Sequence, residues 1–303
     1  MSLRDSRLLL ITADDFGIGP ETSRGILDLA DRGALTSTVL LVNSPYAEEG
    51  VAQWRRSGSR LELGWHPCLT LDRPILSPGQ VPTLVDGEGR FHPLGAFLKN
   101  LLLGRLSRVE IEAEFRAQHS RFVELAGYPP TNVNAHHHVH IFGPVGDALR
   151  TVLAHVSPKP HIRRVMEPWG TLAHIRGARL KRYVLGLFGR RAGIQQVTAG
   201  FPSTDWVLGV TDPPHVRDPE FFRRWLQRAP GRVVELTCHP GHLDATLVGR
   251  DGTLAGGQLH RRQQEFELLA DPNFLAVVRD AGFKLATAAD LCERPQTGTR
   301  NAA

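Results

Sequence analysis

Eight short apolar runs, separated by stretches with helical punctuation, constrain this chain more than any other feature. The runs are Arg7–Ala13, Thr38–Val42, Arg60–Trp65, Asn132–Ala135, Ile162–Val165, Trp206–Val210, Gly231–Cys238 and Lys284–Ala286. Between them, Pro20 sits where a first helical turn favours proline, and Gly33 supplies a stop. Ser107 with Glu110 forms a capping box for a helix that runs to about Ala126, before Gly127. Asp218-Pro219-Glu220 opens another helix, and Leu259–Leu269 and Phe274–Ala281 give two more. Strands alternating with helices predict a parallel α/β core, because parallel neighbours need a crossover connection. About eight strands over ~250 residues suit a (β/α) barrel of the TIM-barrel type better than a short open sheet. Two stretches break the rhythm, at about 67–106 and 167–203. With no repeat and no linker, the expectation is one domain over 1–293 with two insertions, then a disordered tail over 294–303.

Several classes drop out on composition. No run approaches the ~18 consecutive apolar residues of a spanning helix. The N-terminal apolar run meets acid at once, which is not the pattern of a secretion signal. Three scattered cysteines (Cys68, Cys238, Cys292) make neither a disulfide framework nor a thiolate zinc site, so a reducing, cytoplasmic setting is expected. The net charge of +5 is concentrated: Lys159–Arg191 holds nine basic residues and one acid, Glu167. Nucleic-acid binding would spread that charge over a domain face and interleave aromatics, so no nucleic-acid partner is expected. The window reads either as a solvated helix face or, with the apolar run Tyr183–Phe188 inside it, as a peripheral contact with an anionic bilayer.

The chemistry clusters at the ends of the apolar runs. Asp14-Asp15 follows LLLITA, His66 follows LELG, the run HHHVH starts at His136 directly after Asn132–Ala135, and His239 follows VVELTC. In a parallel α/β fold these ends converge on the face where ligands bind. Each has a plainer reading: an Asp pair can cap the next helix, and a lone histidine can be a hydrogen-bonded core residue. The histidine run resists that reading, since extended chain puts His136, His138 and His140 on one face and a helical turn brings His136 and His140 together. One or two carboxylates with two imidazoles suit Zn²⁺ with open coordination positions, while Mn²⁺, Co²⁺, Ni²⁺ and Mg²⁺ stay open. With a second carboxylate as base, the residues point to metal-assisted hydrolysis, without separating amide, ester and phosphoester.

TADDFG at 12–17, GALTSTVLLVNSP at 33–45, LGWH at 63–66, NAHHHVH at 134–140, STDWVLG at 203–209 and ELTCHPGH at 235–242 together resemble the YdjC/ChbG-like carbohydrate deacetylases. The resemblance covers residues 7 to about 291 and touches both the chitooligosaccharide branch and the hopanoid-biosynthesis branch, whose substrate is lipid-linked. It implies an irregular (β/α) barrel and divalent-metal-dependent removal of an acetyl group from an N-acetylated amino sugar by a metal-activated water. By position, Asp15, His66 and His136 correspond to the metal ligands and Asp14 to the general base. His239 corresponds to the acid, and Arg163, or equally Arg164, to the residue orienting the base. Asp205, Trp206, His138 and His140 fall on the substrate side. Two positions depart from the pattern: Asn134 stands where many relatives carry Asp, making the group behind the histidines neutral, and Pro67 follows His66 where an apolar residue is commoner. A homodimer stays open. So do an amidohydrolase or phosphoesterase, and a non-catalytic metal- or sugar-binding barrel; the amidohydrolase would want a lysine at a strand end, and none stands there before Lys284.

Overall fold

All eight expected strands form, and every pairing between them is parallel. In the computed structural model, which describes residues 6–250 and 257–292, they are β1 (Arg7–Phe16), β2 (Ser37–Leu40), β3 (Glu62–Trp65), β4 (Asn132–Val133), β5 (His161–Ile162), β6 (Trp206–Leu208), β7 (Val233–Cys238) and β8 (Phe283–Leu285). The sheet order is β5-β4-β3-β2-β1-β7-β6. Strand β8 joins at β1, whose one edge is shared: Arg7–Leu9 pair with β8 and Thr12–Phe16 with β2. The curled sheet is not closed by a β5–β6 ladder, so the barrel is incomplete. Two backbone bonds from the flanking chain, Ile162 N–H to Pro202 O and Val207 N–H to Met166 O, lie at that seam.

Helices fill the crossovers, as parallel pairing demands. They are α1 (Pro20–Asp31), α2 (Ala47–Ser57), α3 (Leu94–Leu102), α4 (Arg108–Ala126), α5 (Gly143–Leu153), α6 (Trp169–His174), α7 (Arg179–Thr198), α8 (Phe221–Arg228), α9 (Gly257–Ala270), α10 (Phe274–Asp280) and α11 (Ala288–Cys292). The punctuation read from sequence holds. Pro20 occupies the first turn of α1, Ser107 Oγ accepts from the Glu110 N–H, and Gly127 ends α4 at φ 88°. The interruption after β3 is a loop carrying a short bridge between Val85 and Phe91, then α3; the later one is α6 and α7. The expected tail over 294–303 lies outside the described residues.

Strand β1 is buried on both faces, as its continuous apolar run requires. Leu9, Ile11 and Ala13 join the main core, whereas Leu8 and Leu10 pack with Ala286, Ala288 and Leu291. Helix α11 crosses the N-terminal ends of the strands: the Glu62 carboxylate accepts from the Ala288 and Ala289 N–H groups, and Cys292 Sγ reaches Thr131 O. That end is plugged, leaving the C-terminal strand ends as the open face.

Six strands are shorter than the apolar runs that signal them, and β4 and β5 keep only two residues each, ending at Val133 and Ile162. The histidine run takes neither of the two regular geometries expected. It forms 3₁₀ turns over His136–Ile141 with His137 and His138 both left-handed, at φ 54° and 57°. Non-glycine residues in that region are strained and persist where surrounding contacts hold them.

Candidate metal centre and active site

Strand alternation would send Asp14 and Asp15 to opposite faces. The chain avoids this by placing Asp15 at φ +67° inside the last turn of β1, where the register with β2 shifts. Both carboxylates then line the cavity at the open end, and both residues are buried. Gly17, also at positive φ, follows in a gap walled by Leu40 and Ala47.

Asp15 meets two imidazoles. Its Oδ1 lies 2.9 Å from His136 Nδ1 and 3.2 Å from His66 Nε2, while Oδ2 accepts from Arg262 at 2.6 Å. One donor atom from each of Asp15, His66 and His136 falls within 4.8 Å of the others, and all three residues are buried. The His66 ring is fixed from behind, because its Nδ1–H donates to the Asn134 carbonyl at 2.6 Å, which turns Nε2 toward Asp15. This bears on the departure at Asn134: the backbone oxygen of that residue, and not its side chain, orients His66. The Asn134 amide instead lies 3.4 Å from Asp14 Oδ1. Pro67 contributes its carbonyl, which accepts from the His136 N–H. Burial raises the Asp15 carboxyl, but Arg262 and His136 outweigh it and hold it well below the usual carboxylate range.

Asp14 sits in a second network. Arg163 grips it bidentately, at 2.6 and 2.8 Å, and the same guanidinium reaches Glu235 Oε1 at 2.7–2.8 Å. His161 Nε2 closes the row 3.4 Å from Glu235 Oε2. All four side chains are buried. Burial would raise both carboxyls, yet Arg163 holds Asp14 and Glu235 below their ordinary values, and both are ionised at neutral pH. Thr237 Oγ1 adds a third contact to Asp14 at 3.2 Å. Arg164, equally placed by sequence, takes no part: Gly193 of α7 packs over its side chain.

His239 Nε2 lies 3.9 Å from Asp14 Oδ2. Its Nδ1 accepts from Arg261 at 3.2 Å, so the ring's one proton sits on Nε2, toward the pocket. Burial and Arg261 push the imidazole down to about 4, which leaves it neutral at pH 7. Glu265 braces this corner, pairing with Arg261 and accepting from the His239 N–H.

A cavity of about 110 Å³ opens here, lined among others by Asp14, Asp15, His66, His136, His138 and His239. That is well below the ~300–1,000 Å³ that envelops a whole drug-sized ligand. The site admits a small end group and leaves the remainder outside.

The four residues expected on the substrate side separate. His138 lines the cavity, and its buried Nδ1 has no protein partner among the described residues. His140 does not reach the cavity: Nδ1 accepts from the Ala135 N–H at 3.3 Å and Nε2–H donates to Arg163 O at 3.0 Å, so it ties the histidine turn to β5. Asp205 and Trp206 lie at the start of β6, the wrong end of that strand. Asp205 Oδ2 accepts from the N–H groups of Arg232 and Val233, and it is Val210 and Thr211, just beyond the C-terminal end of β6, that line the cavity. Sequence reasoning passed over Glu235, Arg261, Arg262, Glu265 and Lys181. A signal existed for Glu235, a lone charge inside an otherwise apolar strand; the cations of α7 and α9 had none.

His140 carries a consequence for stability. Burial pushes its imidazole down to about 4, from an ordinary value near 6.5. The unfolded chain therefore binds the extra proton first. Stability from this group is complete above pH ~6.5 and is lost as pH falls toward ~4, by of order 3 kcal/mol. Urea titrations at pH 7 and pH 4.5 should show that drop shrinking in His140→Asn; an unchanged pH slope in the variant would contradict the assignment.

The profile of the YdjC-like protein family matches residues 8–280. The chain belongs to the YdjC-like family. This YdjC-like chain is 30% identical over 290 residues to a chitooligosaccharide deacetylase of Klebsiella pneumoniae strain 342, covering 94% of this chain and 99% of that one. It is 29% identical over 285 residues to a carbohydrate deacetylase of Enterococcus faecalis V583, covering 93% and 97%. A solved structure from Enterococcus faecalis V583, provisionally described as a cellobiose-phosphate cleavage protein, superposes with a TM-score of 0.68 at 26% identity, over 95% of this chain and 99% of that one. The likeness spans the barrel and its interruptions alike.

Proposed function

We propose that this YdjC-like chain removes the N-acetyl group from an amino sugar, with one divalent cation held by Asp15, His66 and His136. The chain is a hydrolase of the carbohydrate deacetylase type, acting on a carbon–nitrogen bond. The observation that carries the reading is the convergence of those three donors beside a separate, Arg163-gripped carboxylate. A carboxylate oxygen with imidazoles of fixed orientation fits Zn²⁺ best, because it is a borderline-hard set that leaves coordination positions open. A cation bound there supplies Lewis acidity, lowering the pKa of water and polarising the acetyl carbonyl.

The chain's own residues supply the proton transfers. Asp14, ionised and immobilised by Arg163, accepts the proton of the attacking water as hydroxide adds to the acetyl carbon. The carbon–nitrogen bond then breaks, and Asp14 returns that proton to the amine nitrogen, while His239, whose Nε2–H faces the same space, donates a hydrogen bond to the reacting group. Because Arg261 occupies Nδ1, His239 works as a neutral hydrogen-bond donor and not as the acid that its position in the family motif implies. His138 Nδ1 is placed to hydrogen-bond the sugar. Lys181 is the cavity's lysine, and it stands on α7 and not at a strand end, so the bridging lysine of an amidohydrolase site has no counterpart among the described residues.

Acetate release from N,N′-diacetylchitobiose, with metal content measured on the same preparation, tests the reading. Activity should vanish on chelation and return with Zn²⁺. His136→Ala should lose more than the 10–100-fold in metal affinity that removing a group behind a ligand costs. Full metal occupancy in that variant would remove His136 from the ligand set, and retained activity in chelated protein would end the metal-dependent reading.

A further inference from the structure

Helix α7 is inside out. A surface helix ordinarily buries its apolar side and shows water its polar one. Here the buried positions are Arg182, Gly189, Ala192, Gly193 and Gln196. Facing solvent are Leu180 (77% exposed), Tyr183, Val184, Leu187 (55%), Phe188 and Ile194 (59%). At 100° per residue, Leu180, Tyr183, Val184, Leu187 and Ile194 fall within one outward arc about 100° wide. The inner side is small for a reason: a Cβ at Gly189 would collide with the Val165 carbonyl, so the helix lies directly on the backbone after β5. Helix α6 extends the apolar surface with Trp169, 68% exposed and 5.9 Å from the Tyr183 ring.

Cations edge this surface, and one, Arg191, stands within it. Arg176, Arg179, Arg190 and Arg191 are exposed, and none makes an ion pair among the described residues. Glu167, the one acid in the window, is already neutralised by Arg182, which is buried against it. Next to Leu180 on the same helix, Lys181 lines the mouth of the active-site cavity.

We propose that the outer face of α6 and α7 docks on a membrane surface bearing anionic lipids, seating the leucines and aromatics among the acyl chains and the arginines among the headgroups. Charge selects the occupant. A second copy would set two arginine-rimmed faces against each other with no carboxylates between them, whereas an anionic bilayer complements both parts of the surface. The Trp169–Tyr183 pair is the residue type that concentrates at a membrane–water boundary. Docking there would hold the cavity mouth at headgroup level. The inference does not depend on the deacetylase reading, because its test measures binding alone.

Co-sedimentation of the full chain with phosphatidylcholine vesicles, with and without phosphatidylglycerol, at low and high salt, is the experiment. Expected is binding to the anionic vesicles, abolished at high salt and absent on neutral ones. Replacing Arg179 and Arg190 by Gln should weaken partition at least tenfold, on about fivefold per basic residue near the surface. Leu180→Ser with Leu187→Ser, both at exposed positions and checked for a retained fold by circular dichroism, should weaken it by a similar factor and remove the blue shift of Trp169 emission, identified by its loss in Trp169→Phe. No binding at low salt overturns the proposal. So does binding unaffected by the two serines, which would mean unspecific charge attraction. A dimer in solution that the serines dissociate would give the surface to a second copy and likewise overturn it.

Discussion

An Asp14→Asn variant will keep its fold and its cation and lose about 10²–10⁴-fold in turnover of an N-acetylated chitooligosaccharide, the usual worth of general-base catalysis. Asparagine preserves the shape and one acceptor for Arg163, and Glu235 still holds that guanidinium from its other side. What goes is the proton acceptor. Because Asp14 is held below the ordinary carboxylate range, the wild-type rate should stay level as pH falls through 5 and decline only below that range. Turnover and metal content of the same preparation decide the matter. An active Asp14→Asn enzyme would transfer the base to another group, and a metal-free one would make Asp14 a ligand.

Arg163→Ala is expected to be the most destabilising single change in the site. It leaves two buried carboxylates, Asp14 and Glu235, without their common cation, and breaking a buried pair from one side typically costs 3–5 kcal/mol. The pH dependence gives the sign. In the wild type both acids have depressed values, so their pairing stabilises above the unfolded carboxylate pKa and fades as pH falls through the folded one. Without Arg163, burial governs and both acids prefer the neutral form. The deficit measured by urea unfolding should therefore be largest near pH 7 and narrow toward pH 4. A variant as stable as wild type at pH 7 would show that Asp14 and Glu235 find another cation.

Period and punctuation made the architecture legible. Eight apolar runs became eight strands, and the ends of α1 and α4 fell where proline, serine and glycine placed them, because caps and turns are local chemistry. Legible too was the gathering of Asp14, Asp15, His66, His136 and His239 on one face, since parallel strands deliver their C-terminal ends together. Side-chain direction at those ends was not legible. A positive φ at Asp15 turned two neighbouring carboxylates to one side. Two more at His137 and His138 kept His136 beside Asp15 and His66 and sent His140 back to β5. Asp205 and Trp206 sat in a matching motif yet at the far end of their strand, which a motif cannot report.

The sequence by itself determined the elements, their parallel order and the residue types that meet at the open face, because each follows from spacing of two or 3.6 residues and from short-range capping. The family motifs already set Asp15 with the imidazoles and Asp14 with an arginine after the fifth strand; only the tertiary structure chose Arg163 over Arg164 and brought Arg261, Arg262 and Glu265 from α9 to the same corner. Asp14 and Arg163 are 149 positions apart and Asp15 and Arg262 are 247 apart, and no local pattern encodes such pairings. The same holds for α7: its sequence read either as a solvated helix face or as a bilayer contact, and it is the close approach of Gly189 to the backbone after β5 that turns its apolar residues outward.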